Sequence, residues 1–186
     1  MMFYPWQVAK TTLVIMVDAE MQNSTELRED VLDVLERGQR EFGTAFPKTR
    51  VIFNDPIPNV YSTGYSRMQY LGFYADKYVA EEFILFVDSD AFFHSYVDRE
   101  DLWENGKAII QGRFSVNNYN LFRQKTIEAI GQEEFFSCMS YFPFIIKREH
   151  LPHIREAIRK YHNTSTFEEA YASFGSKDPG SQYNIM

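Results

Sequence analysis

The 186 residues are 45% apolar and 24% charged, the balance of an ordinary globular chain, which excludes a disordered or fibrous one. Lys and Arg number 19 against 26 Asp and Glu, a net charge of −7. That sign is wrong for a surface tracking phosphate backbones, so nucleic acid is not an expected partner. Cys138 stands alone, which rules out an intrachain disulfide and permits a reducing compartment.

The first aliphatic run, residues 11–17, is short, partly β-branched and stopped by the polar stretch 18–24, and it predicts a strand buried on both faces. With Asp18 behind it and Pro5 and Lys10 before it, the run forms neither a signal peptide nor a membrane span. The expectation is a soluble, cytoplasmic chain, or one in the Golgi lumen if it is part of a longer membrane-anchored protein.

Asn23 or Ser24 can cap a helix in which Leu27, Val31, Val34, Leu35 and Phe42 recur at helical spacing, with Glu26 in its first turn and Gly43 at its end. Residues 50–53 read as a second strand, closed by a loop whose Pro56 and Pro58 forbid continuation. Residues 66–78 are helical again. Residues 83–87 form the most apolar strand and run directly into Asp88-Ser89-Asp90.

Two more short apolar runs cover 107–112 and 141–146. A helix over about 151–162 carries Ile154, Ala157, Ile158 and Tyr161 on one side, with Pro152 acceptable only in its first turn. Strands alternating with helices predict an α/β three-layer sandwich with a mostly parallel central sheet, in one domain over residues 1–186. The 17 Phe and 12 Tyr fill wide gaps between helices and sheet, and some Tyr rings could instead face a groove and stack on a sugar or base.

Asp88 and Asp90, one residue apart, follow a hydrophobic strand at its carboxyl end, where open α/β sheets place their ligands. Neighbouring carboxylates repel, and a hard divalent cation with oxygen ligands relieves that repulsion. The alternative is a pair of loop residues, one capping a turn and one solvated. The apolar runs on either side favour a compensated pair, because bare charge there is costly. The implied ion is Mn²⁺ or Mg²⁺, with coordination positions open to water or phosphate oxygens.

The string Phe86-Val87-Asp88-Ser89-Asp90-Ala91-Phe92 resembles the Asp-x-Asp motif of glycosyltransferases with the GT-A fold. Arg67-Met68-Gln69-Tyr70 and Phe73-Tyr74-Ala75-Asp76 are similar to the helix preceding that motif in small transferases of large algal viruses and algae. Residues 138–146 resemble the segment that lines the sugar pocket before returning into the sheet, and residues 181–186 the start of the following helix, which touches the donor sugar. The resemblance spans residues 13–186 and implies a GT-A-like sandwich and a divalent metal. It also implies a nucleotide-sugar donor, by family habit a UDP-sugar, and a carbohydrate or other hydroxyl acceptor.

Two departures stand out. Many members draw a further metal ligand from beyond that last helix, whereas this chain stops at Met186, so a domain truncated at its C-terminus or part of a longer protein is expected. Retaining relatives often place an acidic residue before the Gln of the last helix, and Ser181 stands there instead, which leaves the stereochemical outcome open.

On this basis Asp88 and Asp90 hold the metal, and Arg67 meets a phosphate or orients the acidic pair. A salt bridge on the helix surface is the alternative for Arg67. Val17, Asp18 and Ala19, at the mouth of the first strand, lie beside the base and ribose, Asp18 accepting from a ribose hydroxyl or uracil N–H, with a turn acceptor beside the helix as the alternative for Asp18. Ser89 faces the ribose or the sheet. Ser140, Tyr141 and Gln182 contact the transferred sugar, with a place in the core as the alternative for Tyr141.

An inverting transfer needs a carboxylate base. Asp178, Glu168 and Glu169 are eligible by position, with Asp178 preferred. His150 and His153 lack the further ligands that a zinc site requires and read as surface helix residues. Three rival functions are a haloacid-dehalogenase-type phosphatase, a sugar nucleotidyltransferase and a non-catalytic carbohydrate-binding module holding Ca²⁺. The first normally has its motif near the amino terminus, the second needs a Gly-rich loop that residues 18–24 lack, and the third needs more oxygen ligands than this loop offers.

Overall fold

The structure, a computed structural model, describes residues 11–17, 24–53, 64–88, 91, 93, 95–114, 121–132, 136–137, 143–175 and 185–186. In chain order the elements are β1 (Thr12–Val17), α1 (Ser24–Phe42), β2 (Lys48–Phe53), α2 (Gly64–Phe73), β3 (Phe83–Phe86), α3 (Arg99–Leu102), β4 (Trp103–Glu104), β5 (Lys107–Ala108), β6 (Arg113–Phe114), α4 (Leu121–Ile130), β7 (Phe136–Ser137), β8 (Phe144–Lys147), α5 (His150–Tyr161) and α6 (Phe167–Gly175). Short 3₁₀ turns occupy Gly43–Ala45 and Ala75–Lys77. No helix among the described residues is long and apolar enough to cross a membrane. The chain divides into two compact units, one of residues 1–57 and 92–102, the other of residues 58–91 and 103–186.

In the first unit β1 and β2 are parallel, in register from Thr12 opposite Lys48 to Val17 opposite Phe53. Parallel partners need a long crossover, and α1 supplies it. Arg28 of α1 lies 4.1 Å over the Phe53 ring. The ring of Phe46 fills the space that a side chain at Gly38 would need. Gly43 then takes φ +54, which ends the helix at low steric cost, and the Gln39 side-chain amide donates to its carbonyl at 3.0 Å.

The second unit holds the aromatic core. Among the described residues its largest fully buried side chains are Tyr171, Phe73, Leu151 and Ile158. Burying each such group stabilises the fold by about 1.5–3 kcal/mol. β3 and β8 pair antiparallel, with Phe83 opposite Lys147 and Phe86 opposite Phe144. Ile84, Phe144 and Ile146 pack with Ala75 and Leu151, and Val79, Phe86, Ile154 and Met186 close around them. β4 and β5 form a hairpin around Asn105-Gly106, both at positive φ, the dipeptide that a tight two-residue hairpin demands.

The predicted strands over 11–17, 50–53 and 83–87, and the helices after residue 24 and over 66–78 and 151–162, coincide with β1, β2, β3, α1, α2 and α5 to within a few residues. Pro152 stands in the first turn of α5, as expected. The pairing differs from the expected mostly parallel central sheet. Among the described residues the strands form four separate pairs, of which β1 with β2 is parallel and the other three are antiparallel. A continuous apolar run marks a buried strand without marking its direction, so the β3–β8 orientation was not readable from composition. The run at 107–112 is strand only at Lys107–Ala108, because the hairpin turn sets its length.

Candidate functional site

β3 ends at Phe86, and the chain leaves the sheet through Val87, which is 40% exposed, to Asp88, which is half-buried. The Asp88 carbonyl accepts from the Ala91 N–H at 3.0 Å, tying the residue after Asp90 back to the strand end. Support for this position comes from both sides of the pair, since Phe144, Ile145 and Ile146 of β8 are all buried and Phe86 packs on the same cluster.

Arg67 lies half-buried on α2, with one guanidinium nitrogen 3.8 Å from where a side chain at Gly64 would begin. The rest of this helix is anchored in the aromatic core. Ser66 and Gln69 are buried, and the Tyr171 hydroxyl donates to the Ser66 carbonyl at 2.9 Å. Tyr70 packs edge-on against Tyr171 at 5.4 Å and stacks on Phe167 at 6.0 Å. One carboxylate joins α2 to α6: Tyr70 donates to Glu168 Oε1 at 3.0 Å, and the Tyr74 hydroxyl donates to the same oxygen.

This cluster shifts its own titrations. Burial pushes both hydroxyls above the ordinary tyrosine range, reinforced by the charge that the Tyr74 hydroxyl can carry for Tyr70 and by the hydrogen bond to Glu168 for Tyr74. Burial also works to raise the Glu168 carboxyl. Hydrogen bonds from Tyr74, its own backbone N–H and Tyr70, with the charge of Lys77, outweigh that effect and hold it below the usual glutamate range. Lys77 and Arg155 lie 4.0 Å and 4.4 Å over the Tyr74 ring. Arg155 also grips Asp76 with both nitrogens, at 2.5 Å and 3.0 Å, and donates to the Phe73 carbonyl.

Glu168, one of the carboxylates eligible as a base, is thus committed to the two tyrosine hydroxyls. Glu169 is committed as well. Its Oε2 accepts from the N–H groups of Ser165 and Thr166 at 2.9 Å and 3.3 Å while its own N–H donates to the Thr166 hydroxyl, a reciprocal cap on α6. Thr166 followed three residues later by Glu is the sequence signal that could have announced this. His150 and His153 are exposed on the first turn of α5, as expected of surface residues.

Of the predicted site residues, Asp88 and Arg67 belong to the second unit, and Val17, the last residue of β1, belongs to the first. Asp18, Ala19, Ser89, Asp90, Ser140, Tyr141, Asp178 and Gln182 lie outside the described residues. His162 is a polar centre that the sequence reading passed over: its Nε2 is 3.2 Å from the Ala129 carbonyl, its Nδ1 is 3.1 Å from the Ser173 hydroxyl, and its ring stacks on Phe174. Nothing in its sequence neighbourhood signals these distant partners. Compared with known proteins, the chain matches no family model, no curated protein and no solved structure.

Proposed function

We propose that the chain is a divalent-metal-dependent glycosyltransferase of GT-A-like architecture that moves a sugar from a nucleotide-diphosphate donor, a UDP-sugar, to a glycan or other hydroxyl acceptor. The observation that carries this reading is the placement of Asp88 two residues past an apolar strand whose Ile84 is buried in the core, with Asp90 two residues on in sequence. Hard carboxylate oxygens suit Mn²⁺ or Mg²⁺. Asp88 and Asp90 would hold that ion, whose charge offsets what develops on the leaving diphosphate.

Arg67 contributes a second positive charge toward a phosphate oxygen. Val17, Asp18, Ala19 and Ser89 bind the nucleoside, Ser140, Tyr141 and Gln182 the transferred sugar, and Asp178 takes the acceptor proton if the transfer inverts. Glu168 fixes α2, and with it Arg67, through the two tyrosines.

The test is a thermal-shift series with UDP, GDP and their sugars, each with and without Mn²⁺. UDP should raise the Tm of the wild type only when Mn²⁺ is present, and Asp88→Asn and Asp90→Ala should each abolish the shift. A shift indifferent to metal or to both substitutions rejects the reading. Hydrolysis of a simple phosphate ester without an acceptor would replace it with the phosphatase.

A further inference from the structure

Asn163-Thr164-Ser165 follows α5, and its three side chains divide in what they do. Asn163 is the first residue past the helix cap and takes a left-handed φ of 53. Its N–H donates to the Lys160 carbonyl at 3.1 Å and the Thr164 N–H to the Arg159 carbonyl at 3.2 Å, the pair of bonds with which many helices close. Thr164 does the remaining structural work: its carbonyl accepts from Arg159 Nη1 at 2.8 Å and its hydroxyl donates to the Thr166 carbonyl at 2.9 Å. Ser165 enters only through its N–H, which donates to Glu169.

The Asn163 amide and the Ser165 hydroxyl take part in none of these bonds, and both residues are exposed. An exposed Asn amide two residues before an exposed hydroxyl, with no proline between, has the chemistry of a glycan acceptor on a surface turn. We propose that Asn163 is an N-glycosylation site, used wherever the chain meets the transferring enzyme and a lipid-pyrophosphate-linked oligosaccharide. Asn163 Nδ2 forms the bond to the anomeric carbon, and the bond from that carbon to the pyrophosphate oxygen breaks. The lipid pyrophosphate leaves with the electron pair, and one amide proton passes to a base of the transferring enzyme.

The turn itself would also select Asn at this position, because Asn tolerates the left-handed conformation. Substitution separates the two roles. Asn163→Gly keeps the helix closure, since glycine is the residue most at ease at that φ, and removes the acceptor. The full chain, behind a cleavable endoplasmic-reticulum leader, is translated with microsomes, and the protease-protected protein is analysed before and after N-glycosidase. Asn23-Ser24-Thr25 has the same form, so the background carries Asn23→Gln. The expected result is one glycosidase-sensitive shift, lost in Asn163→Gly and in Ser165→Ala and retained in Ser165→Thr. Protected protein with no such shift, or a shift that survives Asn163→Gly, overturns the proposal.

Discussion

In the unit of β1, α1 and β2 every described strand residue is partly or fully exposed, and Pro47 alone among its described residues is buried. In the unit of α2, β3, β8, α5 and α6, Leu151 and Ile158 have no exposed surface, and Tyr171 and Phe73 keep 1%. Parallel strands are ordinarily covered on both faces, so the β1–β2 pair lacks the burial that its sequence pattern calls for. Leu32, Val34 and Phe42 of α1 stay more than two-fifths exposed, and Leu32 lines a cleft of about 730 Å³ between α1 and β2 with Leu35, Phe46, Val51 and Phe53. Elements with few buried apolar contacts open first, and densely packed ones last. Asp88 and Arg67 rise from the dense unit, and Val17 ends a strand of the sparse one. A charged group that must stay at one place belongs on the former.

The sharpest test of this contrast is a pair of core deletions. Leu151→Ala should lower the unfolding free energy by about 3–4 kcal/mol and Leu35→Ala by about 1 kcal/mol, read from urea denaturation, because only the first leaves an enclosed void. Equal losses would mean that the two regions are comparably packed.

Ion pairs offer a smaller version of the same comparison. Arg155 and Asp76 keep 12% and 16% of their side-chain surfaces exposed, whereas Arg37 and Asp33 on α1 keep 63% and 59%. Asp76→Asn should cost about 3 kcal/mol by stranding a nearly buried guanidinium, and Asp33→Asn no more than about 0.5 kcal/mol.

A gentler probe is the pH profile of the dense unit. Glu168 is held below its unfolded value, so the stability it contributes is complete above the unfolded glutamate range and is lost as pH falls through the lower, folded value. Tyr70 and Tyr74 are raised, so stability should also fall as pH climbs above about 10, where the unfolded tyrosines ionise and the folded ones do not. Glu168→Gln should flatten the acid limb of a Tm-against-pH curve measured on aromatic circular dichroism. An unchanged acid limb would remove Glu168 from the clamp between α2 and α6.

Much of the local architecture was legible. Gly43 closed α1, and the aliphatic run before Asp88 marked β3. At the candidate site, Asp88 stands out in the sequence as an abrupt change from apolar to acidic, and Asp90 beside it lies outside the described residues. The use of Glu168 was hidden, because its hydroxyl partners stand 98 and 94 residues away in the chain.

Periodicity records which face of a segment is buried, and by itself it placed β1, β2, β3, α1, α2 and α5 to within a few residues, while α4 and α6 carried no pattern strong enough to announce them. Partner and direction are properties of contacts between distant segments. Only the tertiary structure decided that β8 runs antiparallel beside β3, that Glu168 accepts from two distant tyrosines, and that the apolar side chains of the two units are buried so unequally. Each depends on what a side chain meets after the chain has folded back on itself, and no local pattern encodes that meeting.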